Sequence, residues 1–138
     1  MVGFTRQGEA VPPEDLVRLV ERLGDLAREI LNPPVRSVKT IGDALMLICP
    51  DLVKLVDAML ELSEATGRDE TLPQLRFGIA SGWAVSRARD WFGSPVNVAS
   101  RVTEPAPPGV ILVAGSARDA VGDAHGFAWF YAGARRRA

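Results

Sequence analysis

The sequence predicts an α+β fold, one mostly antiparallel sheet with helices packed on one face. Three observations carry this. Residues 13 to 31 repeat their apolar side chains with a helical period. Residues 35 to 49 form two strand-like runs around a turn signal. Further on, strand pairs alternate with helices, rather than single strands with single helices.

Each element has a local reason. Met1-Val2-Gly3-Phe4-Thr5 is short and apolar and suits the tail of a strand. In the first helix Leu16, Leu19, Val20, Leu23, Leu26, Ala27 and Ile30 fall on one stripe. Glu14 and Asp15 sit at its positive end, and Asn32-Pro33-Pro34 stops it. Val35 to Lys39 and Ala44 to Cys49 are the two strands, with Thr40-Ile41-Gly42-Asp43 as their turn. Asp51 is the expected cap of a second helix whose inner face carries Leu52, Leu55, Val56, Met59, Leu60 and Ser63, with Gly67 as its stop.

Leu75 to Gly82 alternates as a strand, which 83–87 continue or pair with. Gly78 and Gly82 mark a bulge or a close approach of another backbone. Val110 to Val113 predicts a short buried strand, and Ser116 the cap of a short helix ending at Val121. Gly126 to Tyr131 predicts a last strand with Phe127, Trp129 and Tyr131 on one side.

Composition excludes several classes of function. At 138 residues the chain is long enough for one domain with one core. Its 16 basic and 17 acidic residues leave a net charge of −1, which argues against a general nucleic-acid binder. Cys49 is the only cysteine, so there is no internal disulfide, and its apolar setting points to packing. No apolar run reaches the ~20 residues that span a bilayer. No secretory leader is expected, since Arg6, Gln7 and Glu9 interrupt any apolar start, and the cytoplasm is the expected location. His125, in a Gly/Asp-rich turn, carries no expected role.

The stretch Arg89 to Arg101 is the most informative. Gly93 frees the backbone, Ser94 can cap a helix, and Pro95 fits its first position. Asn97 then lies in the first turn, and Arg101, four residues on, projects from the same face. That pair suits a site for a nucleotide or phosphate, and the same spacing also suits an ordinary solvated face.

Asp90-Trp91-Phe92-Gly93-Ser94-Pro95-Val96-Asn97-Val98-Ala99-Ser100-Arg101 resembles the signature of class III nucleotidyl cyclase catalytic domains, in the form found in soluble actinobacterial adenylate cyclases. Lys39-Thr40-Ile41-Gly42-Asp43-Ala44-Leu45-Met46 resembles a second signature of that family, and Gly3-Phe4-Thr5 and Arg76 to Gly82 fit it as well. The resemblance covers nearly the whole cyclase core. It sharpens the fold to a ferredoxin-like palm core with helices packed against the sheet.

The resemblance also implies an activity and its residues. The activity is conversion of ATP to 3′,5′-cyclic AMP and pyrophosphate in a head-to-tail homodimer. Asn97 and Arg101 act at the transition state. Lys39 and Asp90 read the base, Gly3, Phe4 and Thr5 cradle the triphosphate, and Asp43 holds metal. The family uses two Mg²⁺ or Mn²⁺ ions, and its first metal-binding Asp falls just ahead of Met1. Its terminal triphosphate-binding hairpin falls past the basic run Arg135-Arg136-Arg137. The alternative expectation is therefore an inactive fragment, or a half-site partner. Regulatory domains are expected outside these residues, and neither nucleic acid nor membrane is an expected partner.

Chemistry supports the base assignment on its own terms. Adenine presents an acceptor at N1 and a donor at N6. Lysine donates and aspartate accepts, so the pair matches adenine. Guanine presents the reverse and would leave buried polar groups unpaired.

Overall fold

The computed structural model describes the backbone at residues 2–4, 13–41, 44–70, 72, 75–83, 85–87, 90–107, 109–123 and 125–130. It describes side chains at 14–37, 44–70, 72, 75–83, 93–107, 109–123 and 125–130. The elements in chain order are β1 (Val2–Phe4), α1 (Pro13–Ile30), β2 (Arg36–Ile41), β3 (Ala44–Ile48), α2 (Leu52–Arg68) and β4 (Leu75–Ile79). They continue with β5 (Val85–Arg87), β6 (Asp90–Phe92), α3 (Ser94–Thr103), β7 (Ile111–Val113) and α4 (Gly115–Val121).

The main sheet has the order β2-β3-β1-β4-β7. The β2–β3, β3–β1 and β1–β4 ladders are antiparallel, and only β4–β7 is parallel. β1 lies between β3 and β4, which α2 connects. β3 in turn lies between β1 and β2, which α1 connects. These two interleaved crossovers are the ferredoxin-like arrangement, and the expected mostly antiparallel sheet is present.

One face of the sheet is filled by large side chains. Leu45 and Leu47 of β3, and Leu75, Phe77 and Ile79 of β4, meet Leu23, Leu26 and Ala27 of α1 and Leu55, Met59 and Leu62 of α2. Ala117 and Val121 of α4 join the same core. Burial of this apolar surface is the main favourable term for such a chain. The predicted stripe of α1 is real, with Leu23 fully buried, and Leu60 of α2 is the departure, being exposed. No helix among the described residues is long and apolar enough to cross a membrane.

The helix ends show where local rules held and where they yielded. Asp51 caps α2, its Oδ1 accepting from the Lys54 N–H at 3.2 Å. Gly67 does not end α2, which continues to Arg68. The cap is Asp69, whose N–H reaches the Thr66 carbonyl at 3.3 Å. Arg22 of α1 donates to the Asp69 carboxylate at 2.9 Å, so a tertiary contact fixes that end. Helix α4 is capped by Ala114 rather than Ser116, with no side-chain hydrogen bond.

Two further expectations need correction. The helices do not all share one face. Gly78 lies between the core residues Phe77 and Ile79, so it faces the other way, and there it meets Ala99 and Thr103 of α3. The segment 126–130 alternates as predicted, with Phe127 and Trp129 half-buried and in edge-to-face contact at 6.0 Å, but it joins no ladder. Trp129 instead lies under the Arg118 guanidinium at 4.4 Å. Side-chain packing against the core and Arg118 is what holds this segment. Tyr131 lies outside the described residues.

Candidate active site

The sheet brings together one set of the predicted residues at one of its ends. Gly3 pairs with Ala44 on one side and with Arg76 on the other, and Phe4 pairs with Leu75. Ile41 pairs with Ala44 across the β2–β3 hairpin. The end of β1, the paired residues Ile41 and Ala44 and the start of β4 therefore lie side by side. Asp43 and Thr5 lie outside the described residues, as do the side chains of Gly3's neighbour Phe4 and of Lys39. The backbone places Lys39 in β2, across from Met46.

A second set belongs to α3. Asp90 opens β6, which pairs with β5 in a separate two-stranded ribbon, Arg87 opposite Asp90 and Val85 opposite Phe92. Residues 83–87 thus neither continue β4 nor pair with it. Strand β6 runs into α3 through Gly93. The cap is Gly93, at φ 138°, and Ser94 is already helical. Only glycine adopts that backbone readily, and the Val96 and Asn97 N–H groups both reach its carbonyl, at 3.2 and 3.4 Å. Asn97 and Arg101 stand one turn apart and are both exposed.

Helix α3 is seated along β4, running against it. Its start lies at Gly82, where Pro95 packs, its middle at Gly78, and its end at Arg76, which donates to the Glu104 carbonyl. Asn97, in the first turn, is thus held away from the β1 end, while Arg101, in the last turn, lies back toward Arg76 on the face of the sheet opposite α1 and α2. Phe4 stands beside the first residue of β4, whereas the first turn of α3 stands just past its last.

Beside α3 lies an open cleft of about 470 Å³, lined by Met46, Ile48, Trp83, Pro95, Val96 and Ala99 among others. Trp83, on its rim, is 95% exposed, an unusual position for so large an apolar group. Sequence reasoning missed this cleft. The available signal was Gly82-Trp83, an aromatic placed just beyond an alternating strand. Cys49 also lines it and is half-buried, in keeping with a packing role.

Asp43, the residue expected to hold metal, lies outside the described residues. No group of three His, Cys, Asp or Glu that could hold a metal occurs among the described residues. A carboxylate is a hard oxygen donor that suits Mg²⁺ or Mn²⁺ when phosphate oxygens supply further ligands.

The comparisons with known proteins agree with this architecture. Residues 1–132 match the model of the adenylate and guanylate cyclase catalytic domain. The chain is 58% identical, over 99% of its length, to the pH-sensitive adenylate cyclase MT1302 of Mycobacterium tuberculosis (strain CDC 1551 / Oshkosh), of which it covers 35%. It is 40% identical over 84% of its length to an adenylate cyclase of Streptomyces griseus, covering 29% of that protein. It therefore spans about a third of the length of these curated relatives.

Among solved structures, the catalytic core of a rhodopsin-guanylyl cyclase with converted specificity, in complex with ATPalphaS, superposes with a TM-score of 0.69 at 23% identity. That match covers 84% of this chain and 75% of the other. The guanylyl cyclase Cya2 gives 0.70 at 16% identity, covering 88% and 76%. These likenesses establish the shared fold. Together with the family match along nearly its whole length, they show that this chain belongs to the class III adenylate and guanylate cyclase catalytic domains.

Proposed function

We propose that residues 1–138 form one catalytic domain that converts ATP to 3′,5′-cyclic AMP and pyrophosphate as a head-to-tail homodimer. The observation that supports this is the exposure of Asn97 and Arg101 on α3, on the face of the sheet away from the α1 and α2 core. Exposed polar groups on a surface helix, expected to act on the same nucleotide as the β1 and hairpin residues, suit a site completed by a second copy. The adenylate cyclase relatives support ATP as the substrate.

In this reading Gly3, Phe4 and Thr5 of one chain cradle the triphosphate. Lys39 and Asp90 of the other read adenine, lysine donating to N1 and aspartate accepting from the 6-amino group. Asn97 orients the ribose. Its 3′-oxygen forms a bond to the α-phosphorus and loses its proton. The bond from that phosphorus to the bridging oxygen breaks, and pyrophosphate leaves. Arg101 neutralises charge growing on the α-phosphate, a contact worth roughly 3 kcal/mol by comparison with other transition-state donors.

Asp43, with phosphate oxygens, would hold the divalent cation. Such an ion, when bound, supplies charge neutralisation on the triphosphate and a more acidic 3′-hydroxyl. Domains elsewhere in a longer protein regulate the reaction, and the cytoplasm supplies its ATP.

The test is cyclic nucleotide formation from ATP and from GTP, with Mn²⁺, across a range of protein concentrations. Product from ATP, rising faster than linearly with protein, supports the reading, and GTP should give little or none. Absence of product at every concentration would overturn it in favour of an inactive or half-site module.

A further inference from the structure

We infer that Gly78 and Gly82 are positioning residues for Asn97 and Arg101, together forming a rail that sets where α3 lies. This rests on the composite site proposed above. A Cβ at Gly78 would stand 2.3 Å from Thr103 Oγ1, 2.6 Å from the Thr103 nitrogen and 2.9 Å from the Ala99 carbonyl oxygen. Two of these three atoms are backbone, so no side-chain rotation relieves the contact. Helix α3 must lift from the sheet. The Thr103 hydroxyl also donates to the Ala99 carbonyl at 2.7 Å, which ties the contacted turn together.

The second contact lies at the other end of the helix. Gly82 has φ +146°, a conformation other residues rarely adopt, and its Cβ would stand 2.9 Å from Pro95 Cγ. Asn97 is flanked by these supports, with Pro95 on one side and Ala99 on the other. Arg101 lies between Ala99 and Thr103, both of which press on Gly78. The two side chains thus ride on a segment whose seat is defined by missing Cβ atoms. A displacement of about 1 Å can cost on the order of 10²-fold in rate when reacting groups are so placed.

The experiment separates positioning from simple loss of structure by complementation. Each site takes Asp43 from one chain and Asn97 and Arg101 from the other. A Gly78→Ala chain with a displaced α3 still offers Asp43 and the β1 cradle. Alone it should lose at least about tenfold in turnover, of the kind expected for a misplaced catalytic group. Mixed with Asp43→Ala, it should recover about a quarter of the wild-type rate, since half the dimers are mixed and one of their two sites is intact. Mixed with Asn97→Ala it should recover nothing. Gly82→Ala, which meets only the Pro95 ring, should repeat this pattern with a smaller loss.

Failure of both glycine variants to complement Asp43→Ala would overturn the inference, since chains that merely unfold rescue no partner. Full turnover in Gly78→Ala alone would overturn it as well. The Asp43→Ala and Asn97→Ala mixture is the control. Recovery there alone sinks only the glycine rail, whereas no recovery sinks the composite site and the rail with it.

Discussion

The two faces of the sheet are built on opposite principles. Toward α1 and α2, adjacent strands offer Leu45, Leu47, Leu75, Phe77 and Ile79, and the space is filled by volume. Toward α3, β4 offers Gly78, and the helix is held close because a side chain is missing. A core filled by volume can repack around moderate changes. A seat defined by missing atoms has a single setting. The chain puts its scaffold on the first face and its proposed reacting groups on the second.

That contrast can be broken at neighbouring positions. Phe77 is 1% exposed at the centre of the filled face. Phe77→Ala should cost about 3–5 kcal/mol of stability, measured by denaturant unfolding. Gly78→Ala, one residue along, should cost less in stability, roughly 1–3 kcal/mol for overpacking, while its turnover falls further than its stability explains. Equal losses of turnover per folded molecule in the two variants would erase the distinction between the faces.

A smaller effect sharpens the scaffold side. Removing the cap of α2 with Asp51→Ala should cost about 1 kcal/mol and leave the nucleotide preference unchanged. The smallest effect belongs to the open side. Trp83→Ser removes a side chain with little burial, so stability should stay within about 0.5 kcal/mol. Here the expected outcome is an unchanged unfolding midpoint.

Much of the scaffold was legible because its causes are local. The stripe of α1 follows from spacing, and the Asp51 cap from one side chain and one N–H. Gly78 was legible as a close approach, but no local pattern names the element that approaches. That is why α3 was expected on the same face as the other helices. Gly67 looked like a stop, and the Arg22–Asp69 contact moved the helix end past it. Gly93 displaced Ser94 as the cap because β6 delivers the chain to α3 in a conformation that glycine alone tolerates well.

The proposed site residues depend on the family resemblance in a way the scaffold does not. Asn97 and Arg101 are exposed polar residues at helical spacing, a pattern shared with any solvated face. Their place on the face of the sheet opposite α1 and α2 emerges only from the packing of Gly78 against α3.

The central claim is that one active site draws on two chains, and mixing Asp43→Ala with Asn97→Ala tests it most directly. Each variant alone should form almost no cyclic AMP. The mixture should recover about a quarter of the wild-type rate, because half of the dimers are mixed and each holds one intact site. A mixture as inactive as its components, while wild-type protein converts ATP, would contradict the account and place all the reacting groups within a single chain.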